Sequence, residues 1–207
     1  MKYFLAAALF AFTAPLALAQ ELAPDALIRQ ISEDVLGAIR DDKELRAGDS
    51  AKLAALVEAK VLPHFDFRRA TQIAMGANWR HASAEQQEEL TRQFRTLVVR
   101  TYSGALAGYR DHQIVVSPLR ARPGDAEVTV RSQVRQPGVE PMTLEYDMEK
   151  TATAWKVFDV RVGGISLVAT YRTAFAEVVR NHGVEGLIDT LASKNRQSGL
   201  KPSSRKI

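Results

Sequence analysis

The chain has 207 residues, 46% of them apolar and 25% charged, with 28 basic residues against 24 acidic ones and a formal net charge of +4. It has no cysteine, which excludes a disulfide framework, a thiol nucleophile, an iron–sulfur cluster and a cysteine zinc site. The length suits one domain with a single hydrophobic core, and charges of both signs spread along the chain give no reason to invoke nucleic acid.

At the amino terminus, Met1-Lys2 forms a short positive region and Phe4 to Ala14 an apolar stretch. Ala17-Leu18-Ala19 then supplies a small-x-small site before Gln20. This order predicts a secretory signal peptide over residues 1–19, cleaved after Ala19. The apolar stretch is shorter than the roughly 20 residues of a membrane span. With no cysteine at the cleavage site, no lipid anchor is expected. A periplasmic, monomeric protein is predicted.

Downstream the hydrophobic period changes twice. Leu27, Ile31, Val35, Leu36 and Ile39 have the spacing of an amphipathic helix over Pro24 to Arg40. A second helix is predicted from Asp49, with Leu53, Leu56, Val57 and Val61 on one face and Pro63 ending it. A third opens at Ser83, whose hydroxyl can cap it while Gln86 reaches back, and runs as far as Tyr109 through Leu90, Phe94, Leu97 and Tyr102. Alternation then takes over. Strands are predicted over His112 to Ser117, Ala126 to Val134, Met142 to Glu149 and Ala154 to Val162, giving an antiparallel sheet with one apolar and one wet face. Gly163-Gly164 breaks the last strand. Helical spacing resumes at Ile165, Val168, Tyr171, Phe175 and Val178, Gly183 closes that helix, and Leu187, Ile188 and Leu191 mark a short final one. Residues 196–207 read as a disordered basic tail. The fold class is α+β: one domain over residues 20–195, with a curved, mostly antiparallel sheet covered by amphipathic helices.

Catalytic constellations are sparse. His64 and Asp66 could form a histidine–carboxylate dyad, but capping of the next helix by Asp66 accounts for the same residues. Ser166 follows Gly163-Gly164-Ile165 without the second glycine of a nucleophile elbow, and a capping role explains it as well. The four histidines have no metal-ligand spacing, and no metal is expected.

Two stretches carry more information. One runs Leu62-Pro63-His64-Phe65-Asp66-Phe67-Arg68-Arg69-Ala70, then Met75-Gly76-Ala77-Asn78-Trp79-Arg80, and on to Thr101-Tyr102. The other runs from Trp155-Lys156-Val157-Phe158-Asp159-Val160 through Gly163-Gly164-Ile165-Ser166-Leu167-Val168 to Tyr171-Arg172 and Phe175. Together with Gly183, Gly186-Leu187-Ile188 and Leu191, they resemble the MlaC family, also called the toluene-tolerance auxiliary family, of periplasmic phospholipid-binding proteins. The likeness spans about Ala23 to Asn195. It implies a carrier that shuttles phospholipid between an outer-membrane lipoprotein–porin complex and an inner-membrane ABC transporter with an MCE-domain subunit, and so maintains outer-membrane lipid asymmetry. No cofactor is implied; phospholipid is the cargo.

A carrier of this kind needs an apolar cavity. At about 0.8 kcal/mol per methylene, exposing two chains of about 16 carbons costs on the order of 25 kcal/mol. The predicted wall residues are Phe67, Met75, Trp79, Leu97, Tyr102, Leu106 and Tyr109 from the helical half. Val130, Met142, Leu144, Tyr146, Val160 and Val168 come from the sheet and its exit. Each of these positions also suits ordinary core packing. Two other classes stay open: an exported hydrolase built on His64, Asp66 and Ser166, and a chaperone-like binding module with an exposed apolar patch.

Overall fold

The computed structural model describes residues 22–109, 112–119, 122 and 124–198. The predicted signal peptide and its cleavage site lie outside them, as do residues 199–207. The helical first half comprises α1 (Pro24–Asp41), α2 (Lys43–Ala47), α3 (Ser50–Lys60), α4 (Phe67–Met75) and α5 (Ala84–Tyr102). Side chains satisfy free amides in the first turns of α2 to α5, whereas α1 opens on Pro24 with no side-chain cap. Asp42 accepts from the Glu44 and Leu45 amides, Asp49 from Lys52 and Asp66 from Arg69. Ser83 and Gln86 form the expected reciprocal capping box. The five-residue α2, absent from the sequence reading, is closed by Gly48 at φ +86°, where a side chain is disfavoured.

The helix predicted to reach Tyr109 is shorter. Regular α-helix ends at Tyr102 after 19 residues, and Ser103–Tyr109 continue as a 3-10 turn. Gly104 and Gly108 fall in that turn, and their low helix propensity accounts for the early end.

The sheet is a five-stranded antiparallel meander in sequence order: β1 (Gln113–Val116), β2 (Glu127–Arg135), β3 (Met142–Lys150), β4 (Trp155–Val162) and β5 (Ile165–Ser166). β5 corrects the reading of Ile165 as the start of a helix. Gly163 and Gly164 both have positive φ, and they turn the chain back so that Ile165 pairs with Val162. The last helix, α6 (Arg172–Ser198), is interrupted at Gly183 (φ 70°, ψ −178°), where the sequence placed a helix end. It then continues to Ser198, so residues 196–198, read as tail, are helical. No helix among the described residues is long and apolar enough to cross a membrane.

Burial divides the interior. One cluster joins α4, α5 and α6 through Ala74, Met75, Leu90, Phe94, Leu187 and Leu191. Another lies between α1 and the sheet, through Leu27, Ile28, Val130, Met148, Trp155 and Val157. Two smaller ones pack α3 against α1 and α5.

Candidate functional site

Strand register fixes which side chains share a face. Val128, Val130, Ser132 and Val134 of β2 stand opposite Met148, Tyr146, Leu144 and Met142 of β3. On β4, Val157, Val160 and Val162 stand opposite Met148, Tyr146 and Leu144. Alternate residues point the same way, so these rows form one apolar side broken only by Ser132. A shift in register between Asp147 and Met148 accommodates Phe158 as an extra residue, over whose ring Arg69 stacks at 4.0 Å.

The apolar side is unevenly covered. Leu27 and Ile28 of α1 bury the end carrying Val116, Val130, Met148 and Val157. Toward the other end, Met142, Leu144 and Val162 are only half-buried and belong to none of the packed clusters. Tyr102 and Tyr109, at the end of α5 and of the 3-10 turn after it, are half-buried and unclustered in the same way. The helical cluster and the sheet cluster have no member in common. These half-buried, unclustered side chains form a candidate seam, and a filled core would bury them completely.

The predicted wall residues divide accordingly. Met142, Leu144 and Tyr146 share the apolar side of β3, with Val160 beside Tyr146 on the sheet cluster; Tyr109 lies near Tyr146, and Tyr102 hydrogen-bonds with Tyr171. Met75, Trp79, Leu97 and Val168 are instead buried within the helical cluster, and Val130, 1% exposed, within the sheet cluster. Leu106 packs against the α3 clusters, and Phe67 against one of them. Phe67 also lines a separate surface depression of about 510 Å³ with Glu58, Pro63, Arg68, Arg95 and Lys156. One further seam position, Val162, is in step with Val160, which strict alternation signals. Tyr171, at helical spacing after Val168, packs instead on the helical cluster.

Tyr171 packs edge-on against Phe94 at 5.0 Å and lies 5.6 Å from Phe175. Burial above all, then its hydrogen bond with Tyr102, raises the pKa of its phenol far above the ordinary value of 10, so the ring stays neutral. Burial likewise raises that of Tyr146, and the nearby Tyr109 adds to the effect. The seam therefore offers neutral hydroxyls within apolar walls and no fixed charge among the residues named.

The residues nominated for hydrolysis are held in other roles. The Asp66 carboxylate accepts the Arg69 amide at 2.8 Å, and no hydrogen bond joins it to His64 among the described residues. Burial, reinforced by Lys156, lowers the basicity of the His64 imidazole. Ser166 donates to Asp159 and accepts, at 2.8 Å, the amide of Ala169, the first residue of the 3-10 turn Ala169–Tyr171. The wet face of the sheet is an ion-pair lattice: Glu145 bridges Arg131 and Arg161, and Arg69 bridges Glu127 and Glu149.

A solved phospholipid-binding protein from Ralstonia solanacearum, in complex with a phospholipid, superimposes with a TM-score of 0.79 at 40% identity, over 86% of this chain and 99% of its own. The intermembrane phospholipid transport system binding protein MlaC of Haemophilus influenzae is 25% identical over 185 residues, 88% of this chain and 85% of its own. The toluene tolerance protein ttg2D of Pseudomonas putida is 25% identical over 162 residues, 77% of this chain and 74% of its own. The family model described as MlaC protein matches residues 29–193, the span that holds both halves of the seam, and the chain belongs to the MlaC family.

Proposed function

We propose that this chain is a periplasmic phospholipid carrier, with the acyl chains of its cargo held between the sheet and the helical layer. The observation that carries the reading is the 40% identical neighbour with a phospholipid bound, matched over 86% of this chain. The seam of half-buried Tyr102, Tyr109, Met142, Leu144 and Tyr146 is where such cargo fits. In this reading the carrier works as a monomer, shuttling phospholipid between an outer-membrane lipoprotein–porin complex and an inner-membrane ABC transporter with an MCE-domain subunit, so that the outer membrane keeps its asymmetry. No catalytic step is required, since transfer changes only the lipid's surroundings. The driving force for enclosure is the cost of wetting the chains, on the order of 25 kcal/mol for two chains of about 16 carbons.

Organic extraction of the purified protein, followed by lipid mass spectrometry, tests this directly. Stoichiometric phospholipid is expected. Protein that is folded and carries no lipid, even after incubation with phospholipid vesicles, would overturn the reading. Capture of free fatty acid and lysolipid from added phospholipid would point instead to hydrolysis.

A further inference from the structure

Polar groups on the apolar side of the sheet are few, and they adjoin one another. Ser132 is fully buried in the row Val128, Val130, Ser132 and Val134. Its hydroxyl lies 3.5 Å from that of Tyr146, well beyond the length of about 2.8 Å of a strong O–H···O bond. Tyr146 in turn feels Tyr109, and burial keeps the Tyr146 phenol neutral and able to donate. The Tyr109 ring lies 5.0 Å from the imidazole of His112, and the His112 amide donates to the Tyr109 carbonyl at 3.0 Å.

His112 stands one residue before β1, in step with Ile114 and Val116, both packed on the apolar side. Its Nδ1 is buried and, among the described residues, has no hydrogen-bond partner. Unpaired buried nitrogens are rare because they forfeit hydration and receive nothing in return, so each calls for a missing partner. The line Ser132, Tyr146, Tyr109, His112 runs from the middle of the sheet to the end where Met142 and Val162 leave the seam half-covered. An amphiphile with its chains in the seam brings its first polar atoms to that end.

We propose that His112 Nδ1 donates a hydrogen bond to a phosphate oxygen of the carried lipid, with the Tyr109 hydroxyl beside it. The inference rests on the carrier reading above and names the contact that orients the cargo. A phosphate oxygen is favoured because its charge strengthens the bond from an N–H donor. The contact tells phospholipid from an equally apolar diacylglycerol, which has the same chains and no phosphate.

The test loads delipidated full-length protein from vesicles doped with phospholipid or with diacylglycerol, and counts bound lipid by native mass spectrometry. His112→Phe keeps a ring and removes the nitrogens; His112→Gln keeps a donor. For His112→Phe, phospholipid affinity is expected to fall about tenfold, the loss of one charge-assisted bond, with diacylglycerol uptake unchanged and His112→Gln intermediate. Added inorganic phosphate is expected not to displace the lipid; displacement would assign the nitrogen to free phosphate and overturn the proposal. Undiminished phospholipid binding by a folded His112→Phe would also overturn it, as would equal losses of both lipids in both variants, which mark a packing defect. Wild-type protein that takes up neither lipid would remove the carrier reading itself.

Discussion

Leu144 occupies the position where lining and packing make opposite demands. It shares a side with Met142, Tyr146 and Met148 through the β2–β3 register, yet Met148 is 0% exposed while Leu144 is only half-buried. In the carrier reading, Leu144→Asp places a carboxylate among acyl chains, where an unpaired charge costs several kcal/mol. The expected outcome is loss of bound phospholipid with the fold retained, measured as lipid per protein beside circular dichroism. Glu145 is a poor control because it bridges Arg131 and Arg161; exposed Thr143 is better, and Thr143→Lys should keep its lipid. Equal lipid in both folded variants would show that this strand does not line the site.

The phenols of Tyr146 and Tyr171 give a second prediction at this scale. Both hold their protons more tightly in the folded chain than the ordinary value of 10. Their contribution is therefore complete below about pH 10 and is lost as pH rises from there through the folded values. Urea midpoints should fall between about pH 9 and about pH 11, and less steeply in Tyr171→Phe. Identical slopes in the two proteins would show that Tyr171 ionises freely.

The helices and strands were legible to different degrees for identifiable reasons. All four long strands were visible because one side is buried and the other hydrated, which imprints a period of two on the sequence. The cap of α5 was visible because Ser83 and Gln86 stand at the spacing of a reciprocal hydrogen-bond pair. α2 was missed although Asp42 and Gly48 mark both of its ends; five residues are too few to show a period. The seam was half-legible. Alternation grouped Met142, Leu144 and Tyr146, but how far α1 covers the sheet is a tertiary fact, so buried Val130 and half-buried Leu144 looked alike.

Gly183 is the sharpest conformational requirement in the helical layer. Its φ of 70° with ψ of −178° is a combination that residues with a side chain rarely adopt. Gly183→Ala is expected to cost about 1–3 kcal/mol, which for a chain of this size lowers the melting temperature by several degrees. Ser83→Ala, which removes one cap hydrogen bond, should cost about 1 kcal/mol. Thermal unfolding of the two variants ranks them. If Gly183→Ala melts no lower than the parent, the break in α6 is not required for folding.

At the scale of the whole molecule, the separation of the helical cluster from the sheet cluster has an energetic consequence. A core that is continuous holds its two layers together by direct apolar contact; in the carrier reading the half-buried seam residues are instead covered by the chains of the cargo. Cargo is then part of the native state's stability. A ligand present at about 100 times its dissociation constant stabilises by about 2.7 kcal/mol, which for a domain of this size raises the melting temperature by roughly 5–10 °C. Protein stripped of lipid under mild detergent should therefore melt lower than protein as purified, and phospholipid vesicles should restore the difference while vesicle-free buffer does not. The far-ultraviolet spectrum should stay native in the stripped form, because α1 with the sheet and α4 to α6 each retain their own buried cluster. Equal melting temperatures for stripped and reloaded protein, with lipid content confirmed by mass spectrometry, would show that the two layers support each other without cargo.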